Sequence, residues 1–380
     1  MPKSERAEKI RNGSWRAKAP VFSSLLIFES PFFVSGHIFT DAFPGRSSAK
    51  VDVSPGLLDS RAENLYSIAM KLFRYTEAPS IQSIIFEKIL WASKIKASSV
   101  SPTLKFDKRD YSKALISPAP PEYLRLRVEI RSESFGAMKI FCLEPKDTVP
   151  CVTVLFFHGG SYVYNATRPH WRFLTSLVEL SGCRVIAPDY PLAPAHTYAD
   201  AYRILLRYWK YLSESRASDS LLVMGDSAGG GLGLGLAMAV RDEGLKTASA
   251  LILLSPWLDV TMSNPHIEVI DPEDPFLNIQ ALRAAGRAWA GGANPRKPWV
   301  SPLYGELEGL PPLHLFIGTK DILVADARRF RGLCLAAKAD LSFYEYENMV
   351  HDWMLLEFKE GKLAAARVAA IVRGFDSRDA

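Results

Sequence analysis

The segment of this chain best equipped for chemistry is Gly225-Asp226-Ser227-Ala228-Gly229. It follows an apolar run at 221–224 and opens a stretch of small and apolar residues, the context of a strand-turn-helix nucleophile elbow. In such an elbow the serine holds a strained backbone conformation, and small residues two positions to either side keep the turn free of clashes. The implied chemistry is attack of the Ser227 hydroxyl on a carbonyl carbon, which at neutral pH requires a base to take its proton. The density of glycine that follows (Gly229, Gly230, Gly231, Gly233, Gly235) also invites a nucleotide-loop reading. Neither a G-x-G-x-x-G nor a Walker pattern fits, and close helix–strand packing accounts for it better.

Attack on a carbonyl places negative charge on its oxygen, and backbone N–H groups aimed at that point stabilise it. Upstream, an apolar run at 152–157 ends in His158-Gly159-Gly160-Ser161, where glycines let the backbone approach closely. The expected donors are Gly159 and Gly160 from this loop and Ala228 from the helix start, with His158 holding the loop. Seven histidines compete for the role of base. The order serine, acid, histidine that accompanies a nucleophile elbow excludes those before Ser227. His266 falls in an insertion and His314 inside a strand-like run, whereas His351 follows the last such run in a polar turn. Asp321, after the run at 313–317, is placed to orient the base and stabilise its cation; Asp326 is the second candidate. Ser161, Tyr162 and Trp171 are expected at the substrate, although core packing is an equal reading for the aromatics. The mechanism needs no metal or cofactor, and no metal-ligand spacing is evident.

These groups need a scaffold. Short apolar runs at 152–157, 184–187, 221–224, 250–254, 313–317 and 341–346 alternate with segments at 171–180, 198–212, 229–241 and 325–337 that are long enough for helices. That rhythm predicts an α/β fold with a mostly parallel sheet and helices on both faces. Residues 124–130 alternate as a half-exposed strand that could pair with 139–143. Residues 63–75 and 80–97 read as helices, the second with an apolar stripe of Ile81, Ile84, Ile85, Ile89, Leu90 and Ala92. With an insertion at about 260–299, helical near 279–289, residues 70–120 are expected to form a helical cap. Residues 1–69 form an extension of weak periodicity, and Met70 is a candidate translational start.

Composition narrows the partners. The chain has 380 residues and a net charge of +5. Six basic residues against two acidic ones in the first 20 give +4, so the remainder stands at only +1. This excludes a nucleic-acid face and leaves a small molecule as the expected partner. The apolar run at 21–28 is too short to span a bilayer, so no stable membrane insertion is expected. Four scattered cysteines without a C-x-x-C pair point to reduced thiols and the cytoplasm, with secretion as the alternative. The oligomeric state stays open, a homodimer being one candidate. Ser47-Ser48-Ala49-Lys50 matches S-x-x-K by chance, and Asn165-Ala166-Thr167 would accept glycan only in a secreted chain.

Several ordered motifs resemble the hormone-sensitive-lipase-like esterases, which include acetyl esterases and arylacetamide-type deacetylases. They are His158-Gly159-Gly160, Asp189-Tyr190-Pro191-Leu192-Ala193-Pro194, the elbow, Ser255-Pro256-Trp257, Asp274-Pro275-Phe276 and Asp321-Ile322-Leu323. The resemblance covers roughly residues 120–355. It implies the α/β-hydrolase fold over 121–380, a helical cap, and short- to medium-chain acyl esters hydrolysed through an acyl-enzyme. An amidase or deacetylase of the same fold is the alternative, followed by a non-catalytic binding protein. Ser161 stands where the family often has a third glycine. Pro191 and Ala195 replace a common arginine and glutamate, and Trp353 replaces a common phenylalanine.

Overall fold

The structure is a computed structural model and describes residues 70–93, 96, 116–216 and 219–378. The expectations for 1–69, including Met70 as a start and the S-x-x-K string, concern residues outside this set or turn on what precedes it. The described residues all fall within one compact unit. Among the described residues there is a single sheet of nine strands, ordered β1-β9-β8-β7-β6-β4-β5-β3-β2. They are β1 (Lys71–Tyr75), β2 (Glu129–Phe135), β3 (Met138–Glu144), β4 (Val152–Phe157), β5 (Arg184–Pro188), β6 (Ser220–Asp226), β7 (Ala250–Leu254), β8 (Leu313–Gly318) and β9 (Leu341–Tyr346). Only the β2–β3 and β3–β5 pairings are antiparallel.

The unbroken apolar runs of the central strands arise because both faces of the sheet are covered. In β4, Val154 and Phe156 enter one core and Leu155 and Phe157 the other. Helices α2 (Arg168–Ser181) and α8 (Lys359–Arg373) contribute Leu174, Leu177, Val368 and Val372 to the first. Helices α3 (Tyr198–Ser215), α4 (Ser227–Asp242) and α7 (Val324–Ala336) contribute Leu205, Leu232 and Phe330 to the second. The local stops are legible in the sequence. A capping box of Thr167 with His170 opens α2, and Gly182 at φ 69° ends it; Thr197 with Asp200 opens α3.

Two expectations at the amino-terminal end are corrected. Residues 71–75 form an edge strand, parallel to β9, rather than the end of a helix. Phe73 stacks on Tyr344 at 4.7 Å and Tyr75 on Tyr346 at 4.1 Å, and cross-strand aromatic pairs of this kind override a weak helical pattern. The strand expected at 124–130 begins later, at Glu129. Residues 122–126 instead form a 3₁₀ turn that buries Leu124 and leaves Leu126 82% exposed. The expected helix near 80 is α1 (Ile81–Ser93).

The insertion after β7 carries α5 (His266–Ile270) and α6 (Ile279–Ala290). Asn278 caps α6, accepting from the Ala281 N–H at 2.9 Å. The segment just before α6 is tied to Lys96, whose carbonyl accepts from the Asn278 amide at 3.2 Å. None of the described helices is long and apolar enough to cross a membrane.

Candidate active site

Ser227 sits at the first residue of α4, directly after β6, with φ 51° and 5% exposure. Packing shows why its neighbours are glycines. A Cβ on Gly225 would lie 2.4 Å from the Gly229 carbonyl carbon, and one on Gly229 would lie 2.0 Å from the Phe157 oxygen. The same register that pairs Phe157 with Gly225 brings the loop following β4 alongside the serine.

The base and acid arrive from the neighbouring strands, whose following loops are bonded to each other. The Thr319 N–H donates to the Tyr346 carbonyl at 2.9 Å, the Lys320 N–H to the Met349 carbonyl at 3.0 Å, and the Asn348 N–H to Thr319 Oγ1 at 2.9 Å. With these loops joined, His351 Nε2 lies 3.0 Å from Ser227 Oγ and His351 Nδ1 lies 2.7 Å from Asp321 Oδ2. Asp321 Oδ1 accepts from the Leu323 N–H at 2.9 Å, which fixes the carboxylate plane. Asp326 is elsewhere, buried on α7 and accepting from the Asn264 amide at 2.9 Å. Burial pulls the His351 pKa down, but the Asp352 and Asp321 carboxylates outweigh it and hold the ring well above the usual histidine range.

The insertion also reaches these groups. Asp274 Oδ2 accepts from the Ile322 N–H at 2.9 Å, while its Oδ1 accepts from the Phe276 and Leu277 N–H groups at 2.7 and 2.9 Å. Phe276 then lies nearly parallel to the His351 ring at 5.9 Å. The Asp-Pro-Phe motif therefore ties the insertion to the acid loop at one residue and covers the base with another. Burial, followed by the charge of Asp321, raises Asp274 to about 6.

One oxyanion donor expected from sequence is engaged elsewhere. The Gly159 N–H donates to Asp226 Oδ2 at 3.0 Å, and a Cβ on Gly159 would lie 2.2 Å from that oxygen. Glycine is required there for close approach to Asp226, and the next two residues of the loop, Gly160 at φ 114° and Ser161 at φ 56°, both hold positive φ. His158 holds the loop through its stacking on Tyr190 at 4.6 Å, and the Tyr190 hydroxyl donates to the His158 carbonyl at 2.7 Å. Burial and then the charge of His170 push His158 down to about 4, so it is neutral.

The aromatic substrate contacts are also corrected. Tyr162 is 1% exposed and stacks on Trp289 at 4.2 Å, with Trp257 at 5.5 Å. Trp171 is buried against Phe141, its indole N–H donating to the Ser117 carbonyl. Both are core residues. Sequence reasoning passed over Asp226 although it lies within the elbow motif. Besides the Gly159 N–H it meets His170 Nε2 at 3.0 Å, and His170 Nδ1 accepts from the Thr167 N–H at 3.0 Å. Burial works against the charge on Asp226, yet His170 and these hydrogen bonds lower its pKa.

Asp226→Ala is expected to leave two buried donors without an acceptor, at about 1–3 kcal/mol each. Urea unfolding should register that loss, and kcat should fall because the loop before Gly160 is no longer held. Unchanged stability and rate would rule out this positioning role.

Comparison with known proteins agrees with this geometry. A family model described as alpha/beta hydrolase fold matches residues 154–355. The chain is 31% identical over 227 residues to an esterase of Acinetobacter venetianus, covering 59% of this chain and 75% of that protein. It is 30% identical over 224 residues to an acetyl-hydrolase of Streptomyces hygroscopicus, covering 58% and 75%. Among solved structures, a mutant of the esterase E40 matches with a TM-score of 0.70 and 27% identity, over 79% of this chain and all of that one (100%). An esterase of the bacterial hormone-sensitive lipase family matches with a TM-score of 0.62 and 25% identity, over 79% and 94%. The chain belongs to the α/β-hydrolase fold family.

Proposed function

We propose that the protein is a serine carboxylester hydrolase for short- to medium-chain acyl esters, working through an acyl-enzyme. The observation that carries this is the relay from Ser227 Oγ to His351 Nε2 at 3.0 Å and from His351 Nδ1 to Asp321 at 2.7 Å. Ser227 Oγ attacks the ester carbonyl while His351 Nε2 takes its proton, and the carbonyl π pair moves onto oxygen. Gly160 and Ser161 from the loop and Ala228 from the start of α4 offer N–H groups to that oxygen. The imidazolium then returns its proton to the departing alkoxide as the C–O bond breaks. Water, deprotonated by the same nitrogen, releases the acid and restores the serine.

Asp321 keeps the ring in the tautomer that presents a lone pair at Nε2, and Asp274 with Phe276 brings the insertion over the site as a cap. A buried serine and histidine under that cap favour small acyl groups over long chains. All four cysteines are free thiols, which suits the cytoplasm.

The test is a set of initial rates on p-nitrophenyl esters from acetate to palmitate, with the matching p-nitroanilides alongside. Turnover should peak among the short and medium esters. A maximum at palmitate, or faster turnover of anilides, would overturn the proposed substrate class.

A further inference from the structure

The residue after the proposed base is itself a carboxylate, and its placement is unusual. Asp352 Oδ2 lies 3.1 Å from His351 Nε2, the nitrogen that also faces Ser227. Its backbone is left-handed, at φ 53°, and its N–H donates to the hydroxyl of buried Ser255 at 3.3 Å. Adjacent side chains in an extended chain would point apart; the left-handed turn brings both to one point. Asp352 Oδ1 is buried without a hydrogen bond to the described residues, so the carboxylate's observed partner is the imidazole. The side chain is 17% exposed, and a carboxylate so largely withdrawn from water persists where something pairs with it.

We propose that Asp352 is a second carboxylate partner of His351, holding the imidazolium at Nε2 as Asp321 holds it at Nδ1, and so sets the pH at which the base becomes available. This rests on the reading of His351 as the general base. When Ser227 Oγ bonds to the carbonyl carbon, its proton moves to Nε2, where Asp352 Oδ2 stabilises the resulting cation. The proton then passes to the leaving oxygen as the C–O bond breaks, and Asp352 keeps its own charge throughout. The other ionisable groups around the site are Asp321 on the acid loop, Asp274 of the insertion, Asp226 at the end of β6 and His170 of α2. Asp321 acts on His351 in the same direction, Asp226 and Asp321 act on Asp352, and Asp274 meets the charge of Asp321. Burial raises Asp352 to about 6, the charge of His351 opposing this and that of Asp226 adding to it, so it is ionised above that pH.

The sign follows from linkage. A carboxylate against Nε2 raises the ring's proton affinity, and activity requires the neutral ring, so losing the carboxylate moves the acid limb of kcat/KM to lower pH. Asp352→Asn is the conservative variant, since asparagine also tolerates the left-handed region. The acid limb on p-nitrophenyl acetate is expected to move down by about one pH unit. The plateau is expected to fall several-fold because the base is weaker. Wild type, Asp352→Asn and Ser227→Ala should be profiled together. An unmoved acid limb, with Ser227-dependent turnover in both active proteins, would refute the role of Asp352 and leave the esterase reading intact. Absence of Ser227-dependent turnover in the wild type would refute the reading beneath it. If the asparagine variant does not fold, Asp352→Gly keeps the backbone conformation and gives the same measurement. Loss of fold in both would make Asp352 a structural group and end the proposal.

Discussion

Ser227→Ala is expected to lower kcat on short p-nitrophenyl esters by about 10⁶-fold while leaving the protein folded. The substitution removes one oxygen, leaves the Cβ in place and keeps the steric fit of Gly225 and Gly229 around the elbow. The serine already holds a left-handed backbone, at φ 51°, and alanine there carries a similar strain rather than a new one. Thermal unfolding should therefore change little. An arylphosphonate that esterifies the nucleophile should add its mass to the wild type and not to the variant. Residual turnover above about 1% would mean that another group attacks the ester, because a missing nucleophile cannot be offset by binding alone.

The contrast between Ser227 and its surroundings also marks how far the sequence could be read. The elbow is local: five consecutive residues, a preceding apolar run and a following helix carry the signal, and the structure places the serine between β6 and α4. His351 and Asp321 were reachable because the order of strands fixes which loops meet, even though 30 residues separate them. The parallel sheet was legible for the same reason, as continuous apolar runs spaced by helix-length segments.

What failed depended on side-chain direction. Tyr162 lies close in sequence to Gly159, yet its ring turns into the core between Trp257 and Trp289. Gly159 has the residue type of an oxyanion donor, but its N–H points at Asp226. Asp226, Asp274 and Asp352 went unassigned because each acts through contacts to residues distant in sequence or through a turn conformation. Residues 71–75 form a strand because β9 is there to pair with, a fact that no window of local sequence contains.

Asp321→Asn carries the second large effect, expected at about 10⁴-fold in kcat. Its origin is a tautomer rather than a charge alone. Asp321 Oδ1 accepts from the Leu323 N–H at 2.9 Å, and in asparagine only the carbonyl oxygen can keep that bond. The amide NH₂ then faces His351 Nδ1 and donates to it, which forces the ring proton onto Nε2. A protonated Nε2 cannot accept from Ser227, and Asp352 Oδ2 at 3.1 Å stands ready to hold that proton in place. The two carboxylates therefore act together on the imidazole in the wild type, whereas in the variant the one that remains, Asp352, holds the proton on the nitrogen that must be free. Asp326→Asn is the control: Asp326 meets the Asn264 amide rather than His351, and its replacement should leave kcat within a few-fold of wild type. Steady-state kcat on p-nitrophenyl acetate at a pH where the wild type is fully active distinguishes the two. If Asp326→Asn produced the larger loss, the acid of the relay would have to be reassigned; if neither lowered kcat by even about tenfold, His351 would be working without a partner at Nδ1.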